Sequence, residues 1–214
     1  MSQRTVVHLL RHGEVHNPDK VLYGRLPGFK LSALGEQMAE RAAEWAKDRD
    51  IVRVVSSPLE RARQTSAPMA RDLGLDVAID ERIIEADNNF EGKRVGVGDG
   101  VLKNPQYWHW LWNPFRPSWG EPYKQLAERM HAAMEDARDE ALGHEVLLVS
   151  HQLPVWIARL AGENKRLWHD PRKRQCSLAS ITSFTYEDGR IVGPPSYTEP
   201  SADLLPSASP SKGA

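Results

Sequence analysis

Two short apolar runs, each stopping at a histidine, constrain this 214-residue chain more than any other feature. The first is Val6, Val7, His8, Leu9 and Leu10, followed at once by Arg11, His12, Gly13 and Glu14. Five residues rich in β-branched and aliphatic types are too short for a helix and read as a buried strand. The second is Val146, Leu147, Leu148 and Val149, followed by Ser150 and His151 and by a helix expected from Pro154. Open parallel sheets bind ligands beyond the carboxyl ends of their strands, which is where both histidines would stand. Gly13 allows a sharp turn or a close backbone approach. An arginine fixes a planar oxyanion, and a histidine beside it attacks phosphorus or moves protons. Either motif alone is more often the start of a solvated loop; together they predict two distant segments converging on one site.

The rest of the chain supports an α/β architecture. Residues 18–31 form a loop with Pro18, Gly24, Pro27 and Gly28, beside the first strand end. Such loops shape the substrate mouth, and Tyr23, Gly24 and Arg25 are candidates to touch ligand, a solvated Arg25 being the alternative. Ser32 caps a helix running to about Arg49. Residues 51–55 are the next buried strand. Ser57, Pro58 and Glu60 then make a capping box with proline at the first helical position, which sets Arg61 in the first turn of a helix. Free backbone N–H groups and the positive end of the helix dipole suit an anion there, whereas Arg63 points away. That helix stops near Gly74, and residues 75–79 read as a short strand.

Residues 85–120 break the alternation with glycines, prolines and Trp108, Trp110, Trp112 and Trp119, and are expected to form an inserted cap. A second capping pattern, Ser118 to Glu121, starts a helix reaching about Leu142. Residues 163–174 are strongly charged and read as a solvated loop, with a basic patch as the alternative. Residues 177–186 form a strand, and Asp188-Gly189 a hairpin turn. Alternating strands and helices predict a three-layer α/β/α sandwich, with a mostly parallel central sheet and an antiparallel edge strand. One domain spans residues 1–197, and the Ser- and Pro-rich residues 198–214 are expected to be a disordered tail.

Composition narrows the partners. A formal net charge of −1 argues against a general nucleic-acid binder. No apolar run approaches the roughly 20 residues of a membrane helix, and residues 1–5 lack a signal core. The lone Cys176 excludes an intrachain disulfide and suits a reducing cytoplasm, where it reads as a small core residue.

Residues 10–14 (Leu-Arg-His-Gly-Glu), residues 57–65 (Ser-Pro-Leu-Glu-Arg-Ala-Arg-Gln-Thr), residues 85–92 and the Val149-Ser150-His151 triplet resemble the histidine phosphatase superfamily, or phosphoglycerate mutase-like family. The resemblance runs from residue 6 to about residue 186. It implies a phosphohistidine intermediate on His12, no metal and no cofactor, a phosphate pocket of Arg11, Arg61 and His151, and a proton donor at Glu85. Asn17 and Gln152 are taken with the phosphate pocket, although the family's asparagine usually lies one position later and a glycine often follows its second histidine. Residues 85–92 keep the Glu and the Glu-Gly but lack the usual intervening Gly and Trp.

Neutral imidazole is the nucleophilic form, and Arg11, Arg61 and a protonated His151 would each disfavour the imidazolium of His12. The same charges would stabilise a transferred phosphoryl group. Glu14 competes with Glu85 as the acid. The leading expectation is a metal-independent phosphatase acting on a small phosphorylated molecule. A phosphoglycerate-type mutase and a catalytically silent phosphate-binding protein are the alternatives. The short Trp-rich excursion and the Val15-His16 pair do not look like the true mutases.

Overall fold

The computed structural model describes residues 4–94, Pro105 and residues 120–207. The expected cap is therefore described only at its two ends, and Trp108, Trp110, Trp112, Ser118 and Trp119 lie outside the described residues.

A mixed sheet of seven strands forms the middle layer: β1 (Arg4–Arg11), β2 (Ile51–Ser56), β3 (Val77–Ile79), β4 (Glu145–Ser150), β5 (Ile181–Glu187), β6 (Arg190–Ile191) and β7 (Ser196–Thr198). Their order is β3-β2-β4-β1-β5-β6, with β7 also paired to β5. β3, β2, β4 and β1 run parallel, and β5 lies antiparallel to β1. The four helices are α1 (Ala33–Ala46), α2 (Glu60–Leu73), α3 (Tyr123–Glu140) and α4 (Gln152–Gly162).

Period-two alternation sorts the strand side chains into two cores. Leu10, Val54, Leu147 and Val149 face Met38, Ala42, Ala46, Ala62 and Met69 of α1 and α2. Val7, Leu9, Val55, Val146 and Leu148 face Leu126, Met130, Met134 and Val155 of α3 and α4. Both faces of the central strands are covered, which is why these strands read as unbroken apolar runs. The sandwich expected from the sequence is the observed one.

Local chemistry sets the helix ends. The Ser32 hydroxyl accepts from Gly35 N at 3.0 Å and caps α1, which ends at Ala46, three residues short of the expected Arg49. Gly74 ends α2 with φ +67°, the left-handed conformation in which glycine carries no Cβ penalty. The capping box expected at residues 57–60 does not form. Leu59 is the N-cap without a side-chain bond, because the Ser57 hydroxyl is engaged by His151 and the Glu60 carboxylate accepts from Gly28 N. α3 likewise starts after Pro122 without a side-chain cap, and Glu121 is committed to arginines instead. Asp188 and Gly189, at φ +49° and +78°, make the hairpin turn between β5 and β6.

The expected tail is corrected for residues 198–207. β7 pairs with β5, Ser201 is buried, and Leu204 and Leu205 pack against the α1/α2 core. Two leucines a few residues beyond a strand supply apolar area that the Ser/Pro-rich composition hides. Cys176 is buried, as expected of a small core residue.

Candidate active site

Three neighbouring parallel strands deliver the site. Arg11 of β1 pairs with Ser150 of β4, so the residues that follow, His12 and His151, leave the sheet side by side. His12 N donates to Ser150 O at 3.1 Å, and Ser57 N, after β2, donates to Val149 O at 2.9 Å. The two imidazole centroids stand 5.2 Å apart at 58°. β3 leads through a 3₁₀ turn (Glu81–Ile83) to Glu85, and Ser150 Oγ donates to Ile83 O at 2.7 Å, tying this turn to the end of β4. Arg11, His12, Arg61, Glu85 and His151 are each 3% exposed or less.

The tautomer of His12 follows from its partner. Nδ1 lies 2.7 Å from the Gly13 carbonyl, which only accepts, so Nδ1 carries the proton and Nε2 keeps its lone pair. Burial, then the charges of Arg61 and Arg11, hold this imidazole well below its ordinary pKa. His151 Nε2 bonds Ser57 Oγ at 2.7 Å. Burial, Arg61, His12 and Arg11 hold His151 well below its ordinary pKa too. Burial and the two guanidiniums thus favour the neutral form of both rings in the free protein, whereas the sequence reading takes His151 as protonated.

The positive charge comes from arginine. Arg11 Nη1 donates to Cys176 O at 2.7 Å. Arg61, in the first turn of α2, donates through Nη2 to Gly24 O and stands 4.8 Å over the Tyr23 ring. Thr65 Oγ1 links the two elements, donating to Arg61 O and accepting from Gly13 N. Gly13 serves close approach: a Cβ there would lie 2.6 Å from Gly35 O.

Glu85 is the carboxyl in this hollow. One oxygen accepts from Ala86 N at 2.8 Å, and the other is buried with no partner among the described residues. Burial raises its pKa, against the opposing pull of the Ala86 N–H, Arg61, Arg174 and Arg11. Arg25 Nε and Arg129 Nη2 donate to its backbone carbonyl, and Glu121 bridges the two arginines. Glu14, the competing carboxylate, instead accepts from Ser32 Oγ at the start of α1.

Four residues expected to touch phosphate or substrate have partners within the fold. The Asn17 amide is spent on Val21, donating to its carbonyl at 2.8 Å and accepting from its N–H at 3.2 Å, because it staples its own loop. Gln152 Oε1 accepts from Arg174 Nη1 at 3.2 Å. Arg25 is partly exposed and braces the Glu85 carbonyl and Glu121. Gly24, at φ +40°, contributes its carbonyl to Arg61, and a Cβ there would meet Glu91 Oε1. Tyr23 lies at the site, its ring 6.4 Å from that of His12 and stacked on Phe29. Sequence reasoning reaches Arg174 only as one of a charged run read as solvated, a basic patch for an anionic substrate being the alternative, and does not single it out; its guanidinium donates to Gln152, next to His151. No periodicity marks it, and only the nearness of Cys176 to Arg11 reveals its place. Among the described residues, no group of three or more His, Cys, Asp and Glu side chains could hold a metal ion. No described helix is long and apolar enough to cross a membrane.

Comparison with known proteins places this geometry. A sequence model described as "Histidine phosphatase superfamily (branch 1)" matches residues 7–193. An uncharacterized protein of Mycobacterium tuberculosis is 54% identical over 202 residues, covering 94% of this chain and all of that protein. A Shigella boydii protein named "Probable phosphoglycerate mutase GpmB" is 33% identical over 192 residues, covering 82% of this chain and 83% of that protein. Among solved structures, a mycobacterial glucosyl-3-phosphoglycerate phosphatase superposes with a TM-score of 0.68 at 26% identity, covering 86% of this chain and 91% of that one.

Proposed function

This chain belongs to the histidine phosphatase superfamily and is an enzyme of that superfamily, and we propose that it is a phosphatase that hydrolyses a small phosphomonoester through a phosphohistidine on His12, without a metal. The observation that carries the reading is the proton held on His12 Nδ1 by the Gly13 carbonyl, which leaves Nε2 a free base between guanidiniums.

The first step forms a bond from His12 Nε2 to phosphorus and breaks the ester P–O bond. Glu85 gives its proton to the departing oxygen, for which a carboxyl with a raised pKa is suited. In the second step water attacks phosphorus, its proton passes to Glu85, and the P–N bond breaks to return Nε2 and release inorganic phosphate. Arg11 and Arg61 offset the charge of the phosphoryl oxygens throughout. His151, 5.2 Å away centre to centre, donates a hydrogen bond to the same group once the incoming anion raises its pKa.

A mutase is the second reading, favoured by the name of the relative that is 33% identical. It uses the same first step and returns the phosphoryl group to a second hydroxyl instead of water. The test is phosphate release from p-nitrophenyl phosphate and acid-labile incorporation of label from 32P-labelled substrate. His12→Ala removes both, and added EDTA changes neither. Full release by His12→Ala would overturn the phosphatase reading, and 2- to 3-phosphoglycerate interconversion without net release would replace it by the mutase.

A further inference from the structure

Arg174 differs from most arginines of this protein in the company it keeps. Arg82 meets Asp80 and Asp136, Arg129 meets Glu121, and Arg172 meets Asp170 within ion-pair distance. Among the described residues, no carboxylate lies that close to Arg174. Neutral groups hold it instead. Nη1 donates to Gln152 Oε1 at 3.2 Å, and Nε donates to His169 Nε2 at 2.9 Å. His169 is set for this: its Nδ1 donates to Leu167 O at 2.7 Å, so Nε2 is the accepting nitrogen. The ring is fixed by stacking on Tyr123, 5.4 Å between centroids, and by an edge contact with Trp156 at 5.9 Å.

The two neutral groups aim this half-buried guanidinium but leave its charge uncompensated, which costs free energy away from water. Two contacts place Arg174 beside the reacting centre: Gln152, its partner, directly follows His151, and Cys176, two residues on, gives its carbonyl to Arg11. Arg11, Arg61 and Arg174 bring three positive charges, and a phosphoryl dianion offsets two. Glu85 does not supply the third negative charge while it carries the proton for the leaving oxygen.

We propose that Arg174, aimed by Gln152 and His169, is a specificity-determining residue that binds a second anionic group on the phosphomonoester substrate. The group is a carboxylate or a second phosphoryl, both of which match the planar guanidinium fork. This rests on the phosphatase reading above, deepening it to a substrate class.

The test uses matched pairs. 3-Phosphoglycerate and glycerol 3-phosphate differ only in a carboxylate against a hydroxymethyl group; fructose 1,6-bisphosphate and fructose 6-phosphate differ in a second phosphoryl. The wild type is expected to favour the more anionic member of at least one pair in kcat/KM by about tenfold to hundredfold, mainly through KM. Arg174→Gln is expected to collapse that ratio towards one, and Arg174→Lys to retain part of it. No preference in the wild type for either pair overturns the proposal, as does a preserved ratio in Arg174→Gln. The pair that shows the preference identifies the anion. The ratio is insensitive to a general loss of folded enzyme, so a merely structural role leaves it unchanged. Hydrolysis of p-nitrophenyl phosphate by the wild type and its loss in His12→Ala test the phosphatase reading separately. If that reading fails, the rise in Tm on adding each member of a pair reads the same preference without turnover, and equal rises overturn the subsite.

Discussion

Glu85→Gln separates catalysis from stability, because the two effects are expected to have opposite signs. Glutamine keeps the shape of the side chain and can keep accepting from Ala86 N, the 2.8 Å bond made by one carboxyl oxygen. The other position, buried and without a partner among the described residues, becomes an amide that cannot give up a proton. General acid–base catalysis is worth about 10²–10⁴-fold, so kcat for an alkyl phosphate should fall by that factor, or about 2.7–5.4 kcal/mol of barrier. Stability should move the other way. Burial raises the folded-state pKa of Glu85 above its unfolded value. The unfolded chain thus ionises first as pH rises, and stability is lost between the ordinary carboxyl pKa and the raised one. Above that window the penalty is complete, and the variant escapes it. Tm at pH 8 should therefore equal or exceed that of the wild type, with the advantage vanishing below pH 4. With p-nitrophenyl phosphate, whose leaving group needs no proton, stopped-flow should show a burst of nitrophenolate equal to the enzyme concentration, followed by slow turnover. A variant that loses Tm at pH 8, or that slows alkyl and aryl burst phases equally, would refute the assignment of Glu85 as acid and base.

Two further outcomes follow from the same geometry. The profile of kcat/KM against pH should lose its acid side as His12 protonates, below the ordinary imidazole range, because burial, Arg61 and Arg11 lower its pKa; an acid limb above pH 7 would contradict a neutral, Nδ1-protonated His12. Asn17→Ala should cost about 1–2 kcal/mol, or about 2–8 °C in Tm, by deleting two bonds to Val21, while KM for p-nitrophenyl phosphate moves less than about threefold; a KM rise above about tenfold at constant Tm would return Asn17 to the phosphate.

What the sequence discloses and what it hides divide along physical lines. Val6 to Leu10 and Val146 to Val149 announce central strands because burial on both faces demands unbroken apolar runs, and that requirement is local. Arg11, His12 and His151 follow from those strands, since a strand end is also local. Glu85 is reached through resemblance alone: it hangs on a 3₁₀ turn tied to β4 by Ser150, a link no periodicity encodes. The roles expected of Asn17, Gln152 and Arg25 rest on residue type and motif position, and each side chain is committed to a partner that the sequence does not point to. Gln152 and Arg174 are 22 residues apart, Arg25 and Glu121 are 96 apart, and Ser57 is 94 from the His151 that takes its hydroxyl from the expected cap. Polar side chains choose partners in space, so their roles are the last thing a one-dimensional pattern yields.

The same contrast explains how this hollow stays ready for an anion. Elsewhere the chain offsets arginine with carboxylate, as at Arg82, Arg129 and Arg159. Around the paired imidazoles it uses carbonyls, an amide and an imidazole nitrogen: Cys176 O for Arg11, Gly24 O for Arg61, Gln152 and His169 for Arg174. Dipolar acceptors fix direction without neutralising charge, so a guanidinium held this way is both rigid and still attractive to phosphate. Carboxylates in those positions would stabilise the empty fold and compete with substrate for each arginine. Glu85 is buried where its ionised form is disfavoured, which weakens its pairing with the guanidiniums and suits it to give a proton. Arginines fixed by neutral groups, two imidazoles whose cationic forms are disfavoured and a carboxyl whose ionised form burial disfavours are thus one electrostatic solution, in which the stability withheld from the empty site becomes available when the phosphoryl group arrives.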